Sequence, residues 1–304
     1  EANVAKYSKY LNLSSMVMYG GVDSGPQRQR LIYGVDILVA TPGRLIDMMY
    51  QRVLHFDELE ILVLDEADKM LDMGFINDIE KIIDRLPSQR QSLLFSATLT
   101  EEVRFLADTV NEDAVKISVP LSSATTPKIN QWLITVDKDK KSALLSHLIK
   151  QQQWDRALIF IDKKHAAAKL VSQLEKRGII AEAIHGGRSQ AVRERILADF
   201  KSGELKFLVA TGIASRGIDI ENMTRVVNYD LPYDSDDYIH RIGRTGRAGA
   251  SGEAISFVSN DNFKNLCAIE SRLGHIITRK EIEGFEVKKI VPVSILNFVP
   301  KHKR

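Results

Sequence analysis

The chain has 304 residues, 44% of them hydrophobic and 27% charged, with a formal net charge of +2. This is the make-up of a globular protein long enough for two domains, and it excludes a disordered chain and a disulfide scaffold. One cysteine, Cys267, can neither close an internal disulfide nor build a metal cluster. No apolar run reaches membrane-spanning length, so a soluble, cytoplasmic protein without membrane contact is expected. The charge is uneven. Residues 1–119 hold 12 Lys+Arg against 19 Asp+Glu, a net −7, and residues 120–304 hold 30 against 21, a net +9. A polyanion would lie mainly on the second half.

Val4, Tyr7 and Leu11 share helical spacing with no cap ahead of them, so the chain is expected to begin inside a helix, as a fragment would. Apolar strand-like runs follow at Met16–Tyr19, Ile37–Ala40, Ile61–Leu64, Ser92–Phe95 and Val115–Val119, with helical patterns such as Ile76-Ile79-Ile83 between them. That alternation predicts a parallel α/β sheet. The stretch 120–128, with two prolines and four hydroxyl residues, reads as a linker. The alternation then restarts with strands at Trp132–Val136, Ala157–Ile161, Ile179–Ala183, Phe207–Ala210, Val226–Tyr229 and Ala254–Val258. Two α/β domains are expected, 1–119 and 129–275, followed by an extension over 276–304 whose end, from Lys288, reads as a flexible basic tail.

Ile61–Leu64 reads as a buried strand, and Asp65, Glu66 and Asp68 follow at its C-terminal end, where open α/β sheets bind ligands. A first Asp there can hold Mg²⁺ on nucleotide phosphates and a neighbouring Glu can orient water; the same acids also suit a helix first turn. Thr41-Pro42-Gly43-Arg44 opens a helix after a strand, a turn whose N–H groups suit phosphate. Gly20-Gly21 permits close backbone approach or a plain turn. Ser96 and Thr98 end another strand, either as partners of the carboxylates or as caps of the helix at Glu101. Gln190 and Arg193, one turn apart, can grip a sugar–phosphate backbone or form a solvated face. Between Tyr238 and Arg247, glycines separate His240, Arg241, Arg244 and Arg247. An ordinary helix would lose about 1 kcal/mol at each glycine, whereas arginines on a tight turn suit a transferring phosphoryl group.

Asp-Glu-Ala-Asp at 65–68, Ser-Ala-Thr at 96–98, Thr-Pro-Gly-Arg at 41–44 and His-Arg-Ile-Gly-Arg-Thr-Gly-Arg at 240–247 together resemble the DEAD-box ATP-dependent RNA helicases. The resemblance runs to about residue 286, and residues 181–186 and 197–203 look most like the bacterial RhlE branch. It implies two RecA-like domains with mainly parallel sheets flanked by helices, ATP and Mg²⁺ as cofactors, and RNA as partner with little sequence preference. By resemblance, Asp65 would hold Mg²⁺ through water in the family's manner, and Glu66 would position the hydrolytic water. Asp68 and His240 would couple with Ser96 and Thr98, Arg244 and Arg247 would act as arginine fingers, and Asp219 would meet the ribose. Gly21, Thr41, Gly43, Arg44, Gln190, Arg193 and Thr211 would line the RNA path.

The departures are informative. The chain contains no Gly-Lys pair, so the Gly-x-x-x-x-Gly-Lys phosphate cradle is absent, as are the family's upstream adenine-reading and Pro-Thr-Arg-Glu-Leu-Ala motifs. The expectation is a first domain lacking its N-terminal P-loop part, with apolar edges exposed and little ATPase of its own. Gly212 stands where the family usually has Asp, and Asp162-Lys163-Lys164 replaces a threonine-containing strand end. The alternatives are a non-catalytic RNA-binding or annealing module, favoured by the missing cradle, and a DNA translocase of the same fold.

Overall fold

The computed structural model describes residues 1–111, 113–118, 129–212, 223–246 and 252–296. The chain divides into two compact units, Glu1–Pro120 and Leu121–Arg304. No helix of the described residues is long and apolar enough to cross a membrane.

In the first unit the elements are α1 (Ala2–Tyr7), β1 (Ser15–Met18), α2 (Gly25–Ile32), β2 (Ile37–Ala40), α3 (Pro42–Tyr50), β3 (Ile61–Leu64), α4 (Ala67–Asp72), α5 (Ile76–Ile83), β4 (Gln91–Leu94) and α6 (Glu101–Val110). The strands form two separate parallel pairs, β1 with β2 and β3 with β4. One face of each pair is covered. Met16 and Met18 pack with Leu31 and Met48, while Leu62, Leu64 and Leu94 lie against Ala67, Ile79 and Leu106. The other face is open: Ile61 is 55% exposed, and Val63, Leu93 and Phe95 are exposed too. The run Ile61–Leu64, expected as buried on both sides, is therefore covered on one face only, that of Leu62 and Leu64.

One further expectation fails here: residues 114–118 form no strand, Val115 and Ile117 are exposed, and Val119 lies outside the described residues. The expected first helix is present as α1, with Tyr7 exposed, and Leu11 lies beyond its end.

The second unit holds β5 (Ile129–Thr135), α7 (Lys141–Gln151), β6 (Ala157–Ile161), α8 (Lys164–Glu175), β7 (Ala181–Ile184), α9 (Gln190–Ser202), β8 (Phe207–Thr211), β9 (Arg225–Asn228), α10 (Ser235–Ile242), β10 (Gly252–Val258), α11 (Phe263–Leu273) and β11 (Thr278–Lys280). One seven-stranded sheet runs β11-β5-β10-β9-β6-β8-β7, every pairing parallel. β6 and β8 are buried at every position, as apolar strands covered on both faces must be. Alternate residues divide between two cores: Ala157, Ile159 and Ile161 join Leu144 and Leu170, while Leu158 and Phe160 join Ile196 and Phe200. Gly203 and Gly274 end α9 and α11 in left-handed conformation.

β11 was not foreseen; it lies in the segment expected as an extension, yet pairs with β5 at the sheet edge. Nor are residues 288–296 a loose tail. Lys288 N–H donates to Asp137, Arg279 donates to the carbonyls of Val291 and Pro292, and Val291 and Ser294 are buried. Cys267 is a small buried hydrophobe, 4% exposed.

Candidate functional sites

In the first unit, parallel pairing brings the ends of β3 and β4 together. Asp65 follows β3 and accepts from the Glu66 N–H at 2.9 Å. Glu66 sits at φ 52°, ψ 48°, left-handed for a residue with a Cβ. Among the described residues the two other non-glycine residues with positive φ, Arg52 and Gln153, follow helix C-termini, where that conformation is ordinary. Glu66 instead joins a strand to the start of α4, an outlier of the kind stored at functional turns. Asp65 and Glu66 are exposed, whereas Ala67 and Asp68 are buried.

Asp68 meets Ser96-Ala97-Thr98 directly. Its Oδ2 accepts from the Thr98 N–H at 3.1 Å and the Thr98 hydroxyl at 3.0 Å, and its Oδ1 from the Lys69 N–H at 2.9 Å. Burial pushes the Asp68 carboxyl up, but Thr98, the Lys69 N–H and the Lys69 charge together hold it below its ordinary value. Ser96 Oγ donates to the Thr98 carbonyl at 2.7 Å. The cap of α6 is Thr100, which accepts from the Val103 N–H. Ser96 and Thr98 are thus partners of the carboxylate and its loop, not caps.

The β1–β2 pair places Gly20-Gly21 and Thr41–Arg44 at one edge. Gly21 has φ 80° and is exposed. Thr41 precedes α3, Pro42 holds its first position, and no side-chain hydrogen bond caps the turn. Exposed Thr41 and Gly43 stand at a helix start suited to phosphate. Arg44 differs from expectation. Its guanidinium donates to the Val22 carbonyl at 2.8 Å and to Gln27 Oε1 at 3.2 Å, and the side chain is 10% exposed. It braces the glycine loop from beneath.

In the second unit, Gln190 and Arg193 lie in the first turn of α9, joined by a 3.1 Å bond from Arg193 Nη1 to Gln190 Oε1, while Gln190 donates to Glu194. Ahead of them, His185 Nδ1 accepts from the Gly187 N–H, and burial, with the charges of Arg188, Lys164 and His165, lowers its pKa. Thr211 is the buried last residue of β8. His240 lies in α10, and Arg244 in the turn after it, where its N–H donates to the Arg241 carbonyl and its carbonyl accepts from the Met223 N–H. Thr245 is buried and its hydroxyl donates to the Met223 carbonyl. Gly252 must be glycine: a Cβ there would stand 2.1 Å from Thr245 Oγ1 and 2.4 Å from the Gly246 nitrogen. Asp219 and Arg247 lie outside the described residues.

The motifs alone did not reveal the buried polar cluster around Arg241. Arg241 is 4% exposed; its Nε and Nη2 reach Asp237 Oδ2 at 3.0 and 2.9 Å, its Nη1 donates to the Asp230 carbonyl at 2.9 Å, and its guanidinium lies 5.2 Å from the Phe160 ring centre. Lys141, also buried, binds Asp230 Oδ1 at 3.1 Å and the Tyr229 carbonyl at 2.7 Å. The available signal was an Asp just past two apolar strands, Asp162 after β6 and Asp230 after β9.

Among the described residues no three His, Cys, Asp or Glu converge as a metal cage. Mg²⁺ bound to nucleotide needs none: one carboxylate, phosphates and water suffice, and exposed Asp65 fits that donor set.

Residues 1–106 match the DEAD/DEAH box helicase family and residues 139–249 the helicase conserved C-terminal domain. The chain is 40% identical over 279 residues to the ATP-dependent RNA helicase RhlB of Pseudomonas syringae pv. tomato, covering 91% of this chain and 70% of that one. It is 42% identical over 264 residues to ATP-dependent RNA helicase CshA of Listeria monocytogenes, covering 87% of this chain and 50% of that one, so it spans half the length of that relative. Dbp5 of S. cerevisiae bound to RNA and ADP BeF3 superimposes with a TM-score of 0.82 at 32% identity, covering 91% of this chain and 73% of that one. Names from several branches recur at similar identity, and they do not single out the RhlE branch. The fold is RecA-like, and the chain belongs to the DEAD-box family of ATP-dependent RNA helicases.

Proposed function

We propose that these residues serve RNA-stimulated ATP hydrolysis coupled to opening of short RNA duplexes. The observation that carries this reading is the Asp68–Thr98 pair beside Glu66, because it ties the loop that carries Glu66 to the Ser96-Ala97-Thr98 motif. Asp65 would hold Mg²⁺, which when bound neutralises phosphate charge. Glu66 orients the attacking water and draws its proton, from an exposed left-handed turn at the start of α4. Arg244, with Arg247, stabilises the charge of the transferring phosphoryl group, and Asp219 meets the ribose. Gly21, Thr41, Gly43, Gln190 and Arg193 contact phosphates and 2′-hydroxyls, so little sequence preference follows, while Thr211, expected on the same path, is buried at the end of β8. Arg44 contributes by holding the Val22 loop in place. His240 and Asp68 couple hydrolysis to RNA binding.

The 304 residues contain no Gly-Lys cradle for the β- and γ-phosphates, and alone they should hydrolyse ATP slowly or not at all. The missing cradle also favours the second reading, an RNA-binding or annealing module. The deciding experiment compares these residues with the whole product of the gene that encodes them, each with and without single-stranded RNA. RNA-stimulated hydrolysis in the whole product, lost on Glu66→Gln, supports the enzyme. RNA binding without hydrolysis in either supports the module, and preference for DNA in competition overturns both. A cytoplasmic location is part of the same proposal.

A further inference from the structure

Ile161 and Thr211 are the last paired residues of the neighbouring strands β6 and β8. Asp162 and Gly212 therefore follow side by side at the C-terminal edge of the sheet. Both face one atom, Arg241 Nη2. Asp162 Oδ1 lies 3.8 Å from it, and a Cβ built on Gly212 would lie 3.5 Å from it and 3.7 Å from Asp237 Oδ2. Two adjacent strand ends thus offer alternative places for a carboxylate against the same guanidinium. Here β6 carries the acid and β8 carries a glycine.

The fold alone gives Asp162 little reason to be an acid. The cluster contains two cations and three carboxylates: Lys141 pairs with Asp230, Arg241 pairs with Asp237, and Asp162 is the third acid. Burial, followed by the Asp230 charge, raises the Asp162 carboxyl above its ordinary value despite Arg241 and Lys141. A carboxylate raised in this way opposes folding as it ionises. What its charge can do is add an ion pair at 3.8 Å to the hydrogen bonds by which Asp237 and the Asp230 carbonyl already hold the guanidinium, and Arg241 in turn accepts the Arg244 N–H at its carbonyl, 3.2 Å away.

We propose that Asp162 is a positioning residue for Arg241, supplying from β6 the carboxylate that β8 does not carry at position 212, and so fixing the end of α10 from which Arg244 departs. The inference rests on the reading of Arg244 as a phosphoryl-stabilising group.

The test uses Asp162→Asn, Gly212→Asp and the double variant. Nitrogen–proton spectra of the Arg241 guanidinium in the 304-residue chain report the contact directly. Asp162→Asn should speed Nη2 rotation severalfold with no fall in the urea midpoint, and adding Gly212→Asp should restore slow rotation. In the whole gene product, Asp162→Asn should lower kcat for RNA-stimulated hydrolysis by about tenfold, with the KM for ATP within about threefold and recovery in the double variant. An unchanged Arg241 signal in Asp162→Asn overturns the proposal, as does a lowered midpoint that Gly212→Asp does not rescue. If the wild-type product hydrolyses no ATP, the catalytic reading fails by itself, and the guanidinium signal still decides whether Asp162 holds Arg241.

Discussion

Thr98 satisfies a single oxygen of Asp68 twice, through its backbone N–H at 3.1 Å and its hydroxyl at 3.0 Å, across thirty positions of the chain. Hydrogen bonds to a buried charged group contribute about 1.5–3 kcal/mol each. Thr98→Val removes the hydroxyl and keeps the shape and N–H. It should lower the stability of the first unit by about 1–2 kcal/mol in urea denaturation and reduce duplex opening more than ATP hydrolysis.

The lowered Asp68 pKa fixes the sign of a pH effect. The native state binds fewer protons at this group than the unfolded state, so its contribution is present above the unfolded value of about 4 and is lost as pH falls through the lower folded value. In Asp68→Asn, stability measured from pH 5 downward should therefore fall less steeply than in wild type.

Glu66 trades backbone ease for placement. Glu66→Gly should relieve the left-handed strain and stabilise the chain by about 1 kcal/mol, offset partly by the added freedom of the unfolded chain, while abolishing hydrolysis. Glu66→Gln should leave stability unchanged and abolish hydrolysis equally. Thermal unfolding of the chain beside an ATPase assay of the whole gene product checks both.

Gly252 packs against the turn that presents Arg244. Gly252→Ala drives a methyl into Thr245 Oγ1 and the Gly246 nitrogen, and should cost about 1–3 kcal/mol or more in denaturant unfolding. Hydrolysis should fall with it even under conditions where the variant remains folded.

Arg44 separates bracing from contact. If it acts by holding Val22 and Gln27, Arg44→Ala weakens RNA binding while the salt dependence of the affinity keeps its slope. A direct phosphate contact would instead reduce that slope by about one unit.

The second unit was largely legible because its strands are buried on both faces, so apolar runs such as Ala157–Ile161 and Phe207–Ala210 announce themselves. β11 was missed because Thr278–Lys280 is a short polar edge strand without an apolar signal. The first unit was legible in order but not in burial: Ile61–Leu64 has the composition of a central strand, yet only alternate residues are covered. Val115 and Ile117 are apolar but exposed among the described residues, and propensity alone makes no strand. Among the sites, Asp68 with Thr98 was foreseen as a pairing implied by resemblance, whereas the enclosure of Arg44 was not. A motif gives the residue type at a position, and the loop beneath it decides whether its charge faces solvent.

The central claim is that the carboxylates after β3 and the arginine turn after α10 serve one RNA-stimulated hydrolysis. The most direct measurement is ATP turnover by the whole gene product, with and without single-stranded RNA, in wild type, Glu66→Gln and Arg244→Ala. The account predicts stimulation by RNA in wild type and its loss in both variants, with RNA binding retained. Hydrolysis that ignores RNA, or that survives either substitution, would contradict it.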